Sequence, residues 1–291
     1  MYYYNTYGLN IESDIELIEL IKCENLKKNE IDVSIFLGEE KKEINRTKAI
    51  YKSRREMYIE KAHVAKYSIY DGSKIIIEKY KNAEIKKVKS FLLGWAFGAI
   101  FAQRGVIPIH GSSILLDNKA VVIAGKSRAG KSTLANRLMN KGYKFISDDI
   151  SVLDLDGKST PIVKPAYPVS KIRPDIAEIL GLEVNDENRR TIVDNSNVFN
   201  KTEEIIGILV YLVEENVDEV KVEEIKGKYK IETLIDNIYS IKIETTFGIE
   251  VPYFKKCLKI ANELKAFKIT RPKGKFTVDK QVELIENICL S

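Results

Sequence analysis

The sequence predicts an α/β protein: a mixed central sheet carrying a P-loop, helices packed against that sheet, and an N-terminal β-rich lobe. Three observations support this reading. Period-two alternation recurs up to about Lys81. An apolar run, a glycine-rich turn and an amphipathic helix follow one another between Ala120 and Asn140. Helical periods and strand-like runs then alternate to the C-terminus, the mark of sheet and helix sharing one core.

In chain order, Ile31 to Leu37 and His63 to Tyr70 alternate as half-buried strands do, and Asp71-Gly72 turns the chain into Lys74–Glu78 as a hairpin. These segments define a lobe over 1–83. From Glu84 to Gln103, Ile85, Val88, Leu92, Trp95, Ala96, Ala99 and Ile100 keep helical spacing, and Gly105 ends the pattern. This helix is expected to pack under the nucleotide core, with Trp95 inside, so a second domain, or a continuation of the first, covers 84–291. Ile107 to Leu116, the turn Asp117-Asn118 and the strand at Ala120 form a hairpin that delivers His110 close to the glycine-rich turn. Tyr143 to Ile146 is an apolar strand running into Ser147-Asp148-Asp149. Beyond Asp156-Gly157, Ile205 to Val213 reads as a buried strand, and 231–239, 252–266 and 278–289 read as helices. There are no repeats, linkers or low-complexity tracts.

Composition narrows the class. With 291 residues, 44% of them hydrophobic, the chain can build a substantial core without staples. Cys23, Cys257 and Cys289 have no close pairing, so neither a disulfide framework nor a CxxC metal site is suggested. A charge of +5, from 47 basic and 42 acidic residues, is too mild and dispersed for a nucleic-acid footprint. The apolar stretch from Phe91 to Ala102 falls short of the ~20 residues of a membrane span, and the N-terminus lacks a secretory pattern. The expectation is a cytoplasmic protein without membrane or nucleic-acid partners.

The chemistry concentrates in three places. Gly125-Lys126-Ser127-Arg128-Ala129-Gly130-Lys131-Ser132, continuing to Thr133, is a complete phosphate-binding pattern between strand and helix. Backbone N–H groups at the positive end of a helix dipole can cradle phosphates, Lys131 can reach the β and γ groups, and Ser132 can offer its hydroxyl to Mg²⁺. At the end of a neighbouring strand, one of Asp148 and Asp149 can hold Mg²⁺, and the other can accept the proton of an attacking hydroxyl. Acids at strand ends also cap turns, and a lone histidine such as His110 is usually structural. Transfer also needs a cation beyond the loop, for which Arg189 and Arg190 are the first candidates, with Lys171 and Arg173 nearby.

Taken together, His110-Gly111-Ser112-Ser113, the Gly125–Ser132 loop and Ser147-Asp148-Asp149 resemble the catalytic core of the HPr kinase/phosphorylase family, over roughly Val106 to Leu155. The resemblance implies a P-loop kinase architecture of the HPr kinase/phosphoenolpyruvate carboxykinase type. It also implies ATP and Mg²⁺ as cofactors, Asp148 as the base, Asp149 and Ser132 on the metal, Lys131 on the phosphates and His110 in the same pocket. The large N-terminal domain of the carrier-protein kinases and the glycine-rich signature that follows their acid pair have no counterpart here. Tyr7 to Ile15 and Tyr167-Pro168 look like the small relatives that act on ribosomally made peptides, including lasso-peptide precursor kinases. The implied activity is phosphorylation of a serine on a precursor peptide, and the reading admits a homo-oligomer. Three other readings stay open: a kinase of a small hydroxy-metabolite, a kinase of a carrier protein, and a nucleotide-gated regulator that transfers nothing.

Overall fold

A computed structural model describes residues 1–24, 26–157, 159–184, 191–239 and 241–290. The strands are β1 (Tyr2–Thr6), β2 (Leu9–Ser13), β3 (Ile21–Lys22), β4 (Val33–Leu37), β5 (Lys48–Ser53), β6 (Glu56–Lys61), β7 (Ala65–Tyr70), β8 (Lys74–Lys79), β9 (Ile107–Ile109), β10 (Gly111–Leu116), β11 (Lys119–Ala124), β12 (Lys144–Ser147), β13 (Ser151–Leu155), β14 (Pro161–Lys164), β15 (Val169–Ile172), β16 (Thr191–Asp194), β17 (Glu204–Glu215), β18 (Lys221–Glu224) and β19 (Lys265–Pro272). The helices are α1 (Ile85–Phe91), α2 (Phe97–Arg104), α3 (Lys131–Asn140), α4 (Pro174–Ile179), α5 (Lys228–Asp236), α6 (Ile241–Phe247), α7 (Val251–Glu263) and α8 (Val278–Leu290). Among the described residues no helix is long and apolar enough to cross a membrane. The chain forms two compact units, Met1–Pro108 with Tyr239–Phe254, and Ile109–Ile238 with Lys255–Ser291.

The first unit is an eight-stranded sheet in the order β3-β1-β2-β4-β8-β7-β6-β5, in which β4 runs parallel to both β2 and β8 and the other pairs are antiparallel. Alternation decides its faces: Tyr67, Ile69, Ile75 and Ile77 are fully buried. α1 and α2 cover that face, with the Tyr67 hydroxyl donating to the Val88 carbonyl at 2.8 Å and Tyr7 edge-on to Phe101 at 4.9 Å. The helical segment therefore packs with the N-terminal strands, in the compact unit that runs to Pro108. Its helix is not continuous, since a π-helical turn over Leu92–Ala96 separates α1 from α2. That turn carries Trp95 outward, 38% exposed, against Phe91 at 5.5 Å with the Lys61 ammonium over both rings, so the residue expected in the core lies at the surface.

The second unit holds a mixed sheet, so the α/β class read from the sequence is what the structure has. Its central order is β12-β10-β11-β17, with β14 and then β19 lying along the far side of β17. β11, β17 and β19 are mutually parallel. β10 is antiparallel to both β11 and β12, so β12 points the same way as β11. The segment expected to be helical over 252–266 ends earlier: α7 stops at Glu263 and the chain becomes β19. α3 and α8 pack on the sheet through Leu134, Leu138, Val282 and Ile285, against Ile123, Val210 and Ile269. This apolar layer anchors the helix and strand ends from which the site is built.

Candidate functional site

Strand polarity brings the three sequence motifs to one edge of the second sheet. β11 and β12 both end there, delivering Gly125 and Asp148, and β10 begins there, delivering His110. Close packing at that edge demands glycine. A Cβ on Gly125, whose φ is +146°, would lie 2.4 Å from the Leu212 carbonyl oxygen, and one on Gly111 would lie 2.4 Å from that of Ile123. The loop then turns through Arg128 (φ 70°) and Gly130 (φ +107°), and the first helical hydrogen bond runs from Leu134 N to Gly130 O at 2.9 Å.

Two cations hold the loop from within. Lys131, 8% exposed, donates to the carbonyls of Gly125 at 2.9 Å and Lys126 at 3.2 Å. Arg271, at the end of β19, donates from Nε to Ala129 O at 2.8 Å and from Nη2 to Arg128 O at 3.4 Å, and pairs with Glu214 at 3.3 Å. Sequence reading missed Arg271 because its strand follows a helix without a clear break. The available signal was Phe267-Lys268-Ile269-Thr270-Arg271, a β-prone alternation closed by Pro272.

Asp148 ties the motifs together. Its Oδ1 accepts from the Ser112 hydroxyl at 2.7 Å and the Ser132 hydroxyl at 3.0 Å, and its Oδ2 accepts from the Lys171 backbone N–H at 3.1 Å. Burial, and after it the charge of Asp149, raise the Asp148 carboxyl above its ordinary range against the pull of those three bonds. Beneath the acid pair, the hydroxyls of Ser113, Ser147 and Ser151 form a buried chain at 2.5 and 2.8 Å that ends on the Gly111 carbonyl at 3.2 Å. That chain stitches the histidine strand to the acid strand.

Asp149 has left-handed backbone (φ 65°), and its carbonyl accepts from Gly111 N and from His110 Nδ1, both at 3.2 Å. A carbonyl only accepts, so His110 carries its proton on Nδ1. Burial first, then Lys131, push the His110 pKa down against the pull of Asp149, so near neutral pH the ring is uncharged with its lone pair on Nε2.

One cavity collects these groups. It is lined by His110, Ser127, Arg128, Gly130, Lys131, Ser132, Thr133, Asp148 and Asp149, with Lys171 and Arg173 on one wall and Arg271, Lys275 and Phe276 on another. Arg189 and Arg190 lie outside the described residues; among the described residues the cavity's cations beyond the glycine-rich loop are Lys171 on β15, Arg173 just after it, Arg271 at the end of β19 and Lys275. The donor set suits a phosphorylated nucleotide: glycines where a Cβ would strike backbone, a helix N-terminus and Lys131. It also suits a hard divalent cation that keeps waters, with Ser132 bonded to the Asp148 carboxylate and Asp149 on the same cavity, and among the described residues no cluster of three or more His, Cys, Asp and Glu offers an all-protein metal cage.

No protein-family model matches the chain. Over 125 residues, 36% of the chain, it is 26% identical to HPr kinase/phosphorylase of Chlorobium phaeobacteroides (strain BS1), and it spans 37% of that relative's length. A solved structure, the Hpr(Ser) kinase/phosphatase from Coxiella burnetii, aligns with 63% of this chain and 90% of its own, at 15% identity and a TM-score of 0.34. In sequence the chain is thus similar to HPr kinase/phosphorylase over little more than a third of its length.

Proposed function

We propose that the protein is an ATP- and Mg²⁺-dependent kinase that transfers the γ-phosphoryl group to a serine hydroxyl of a ribosomally made precursor peptide, in the cytoplasm. The observation that carries the reading is the Asp148 carboxylate, buried and bonded to the loop's Ser132 in the cavity that also holds Lys131, Asp149 and His110. The sequence likeness to HPr kinase/phosphorylase supports the reaction class, and the likeness of Tyr7 to Ile15 and Tyr167-Pro168 to peptide-modifying relatives supports the acceptor.

In this reading the residues from Gly125 to Thr133 wrap the phosphates, and Lys131 turns from loop carbonyls to phosphate oxygens. Bound Mg²⁺ would neutralise the terminal phosphates as the leaving group departs. Ser132 and Asp149 would hold it. Asp148, whose raised pKa suits a proton acceptor, takes the serine proton, and neutral His110 orders the acceptor end of the cavity through Nε2. Positioning and fixed charge supply most of the rate.

The Asp148–Ser132 hydrogen bond favours a second assignment, with Asp148 on the metal side and Asp149 as the acceptor. Asp148→Asn and Asp149→Asn separate the two. The variant that loses turnover while nucleotide binding keeps its Mg²⁺ dependence identifies the base. The activity itself is tested by mass spectrometry of a serine-containing precursor peptide after incubation with ATP, Mg²⁺ and the protein. Phosphoserine is expected; nucleotide binding without any phosphopeptide would overturn the peptide kinase in favour of a metabolite kinase or a nucleotide-gated regulator.

A further inference from the structure

The cavity has two walls that leave the glycine-rich loop in opposite directions. Strand order puts the acid pair, at the end of β12, on one side of β11 and the end of β19 on the other. The β15 wall belongs to the acid side, because the Lys171 backbone donates directly to Asp148. The opposite wall, from Arg271 to Gln281, is tied to the loop by the two Arg271 hydrogen bonds to Ala129 and Arg128. Since β11, β17 and β19 are parallel, this wall also lies at the carboxyl ends of the strands, where open α/β sheets bind their ligands.

A triphosphate lying along the loop has its transferring end toward the acid pair, so its nucleoside end points toward the β19–α8 corner. There Phe276 stands 50% exposed, the one Phe, Tyr or Trp among the described residues that line the cavity. On the same wall Gln281 is 4% exposed, its amide donating to the Thr277 hydroxyl at 3.1 Å, and Val278 is equally buried. An aromatic face flanked by Lys275 and a buried amide offers stacking to a base and a polar group to its edge.

We propose that the corner formed by Arg271, Lys275, Phe276, Thr277, Val278 and Gln281 is the nucleoside subsite, with the base stacked on Phe276. The assignment rests on the phosphate site proposed above. It is tested by calorimetric titration of the full-length protein with ATP and, separately, with inorganic tripolyphosphate. Phe276→Ala should weaken ATP binding about 5- to 150-fold, the range expected for loss of one aromatic stack, and leave tripolyphosphate binding unchanged. Phe276→Trp should retain ATP affinity. Unchanged ATP affinity in Phe276→Ala overturns the subsite, as does an equal loss for both ligands, which would place the effect at the loop. Failure of the wild-type protein to bind either ligand overturns the phosphate site and the subsite together, whereas tripolyphosphate binding with an unaltered ATP response removes the subsite alone.

Discussion

At the scale of single residues, Asp148 and His110 carry opposite protonation signatures from one cause, burial beside a charge. The folded protein holds the Asp148 proton more tightly than the unfolded chain does, so stability linked to this carboxyl is gained as pH falls through its folded value. Asp148→Asn, uncharged throughout, should melt higher than the wild type near pH 7, with the gap closing in acid. His110 works the other way. Its folded pKa lies below the ordinary 6.5, so the unfolded chain takes the proton first and stability is lost as pH drops below 6.5. His110→Gln should flatten that acid limb in a series of melting curves. In turnover, Asp148→Asn should cost about 10²- to 10⁴-fold in kcat, the usual worth of a positioned base, while changing nucleotide affinity little. Full activity in that variant would remove Asp148 from the chemistry.

At the scale of elements, the site depends on strands brought so close that side chains are excluded. Gly125→Ala introduces a Cβ 2.4 Å from the Leu212 carbonyl, in a left-handed backbone that alanine resists. The loop must shift, at about 1–3 kcal/mol, and nucleotide binding should fall below detection in a titration while the far-UV spectrum persists. In the first unit the corresponding weak point is an ion pair. Arg54 reaches Glu244 on α6 at 3.0 Å and Glu250 at 2.9 Å and also bonds the Gly248 carbonyl, with Glu244 only 2% exposed. One carboxylate oxygen of Glu244 has no hydrogen-bond partner, and burial raises its pKa despite Arg54. Arg54→Ala strands that acid in the interior and should cost about 3 kcal/mol by chemical denaturation, whereas Arg54→Ala with Glu244→Met should recover most of it.

At the scale of the whole molecule, a ligand that binds only the folded state must stabilise it by mass action. Saturating Mg-ATP at about a hundred times its Kd should add about 2.7 kcal/mol, a rise of several degrees in the melting midpoint of a chain this size. Lys131→Ala should erase that rise without lowering the midpoint of the ligand-free protein by a comparable amount, since Lys131 serves loop carbonyls rather than the apolar core. An unchanged shift in Lys131→Ala would show that the nucleotide binds elsewhere.

Sequence alone determined what short-range rules govern. The β7–β8 hairpin at Asp71-Gly72, the strand, loop and helix from Ala120 to Asn140, and the terminal helix from Val278 follow from period and turn chemistry, and all stand in the structure. So does the order of His110, the loop and the acid pair, because nearby strands in sequence pair in space. Tertiary structure decided what depends on distant partners. It made a surface residue of Trp95 through the π turn, took the α1–α2 segment to the N-terminal sheet, and cut short the helix expected over 252–266 by making 265–272 a strand paired in parallel with β17. That pairing carries Arg271 to the loop 142 positions before it. No local pattern encodes such a meeting, because it arises from burying two apolar strand faces against α3 and α8 in a common core.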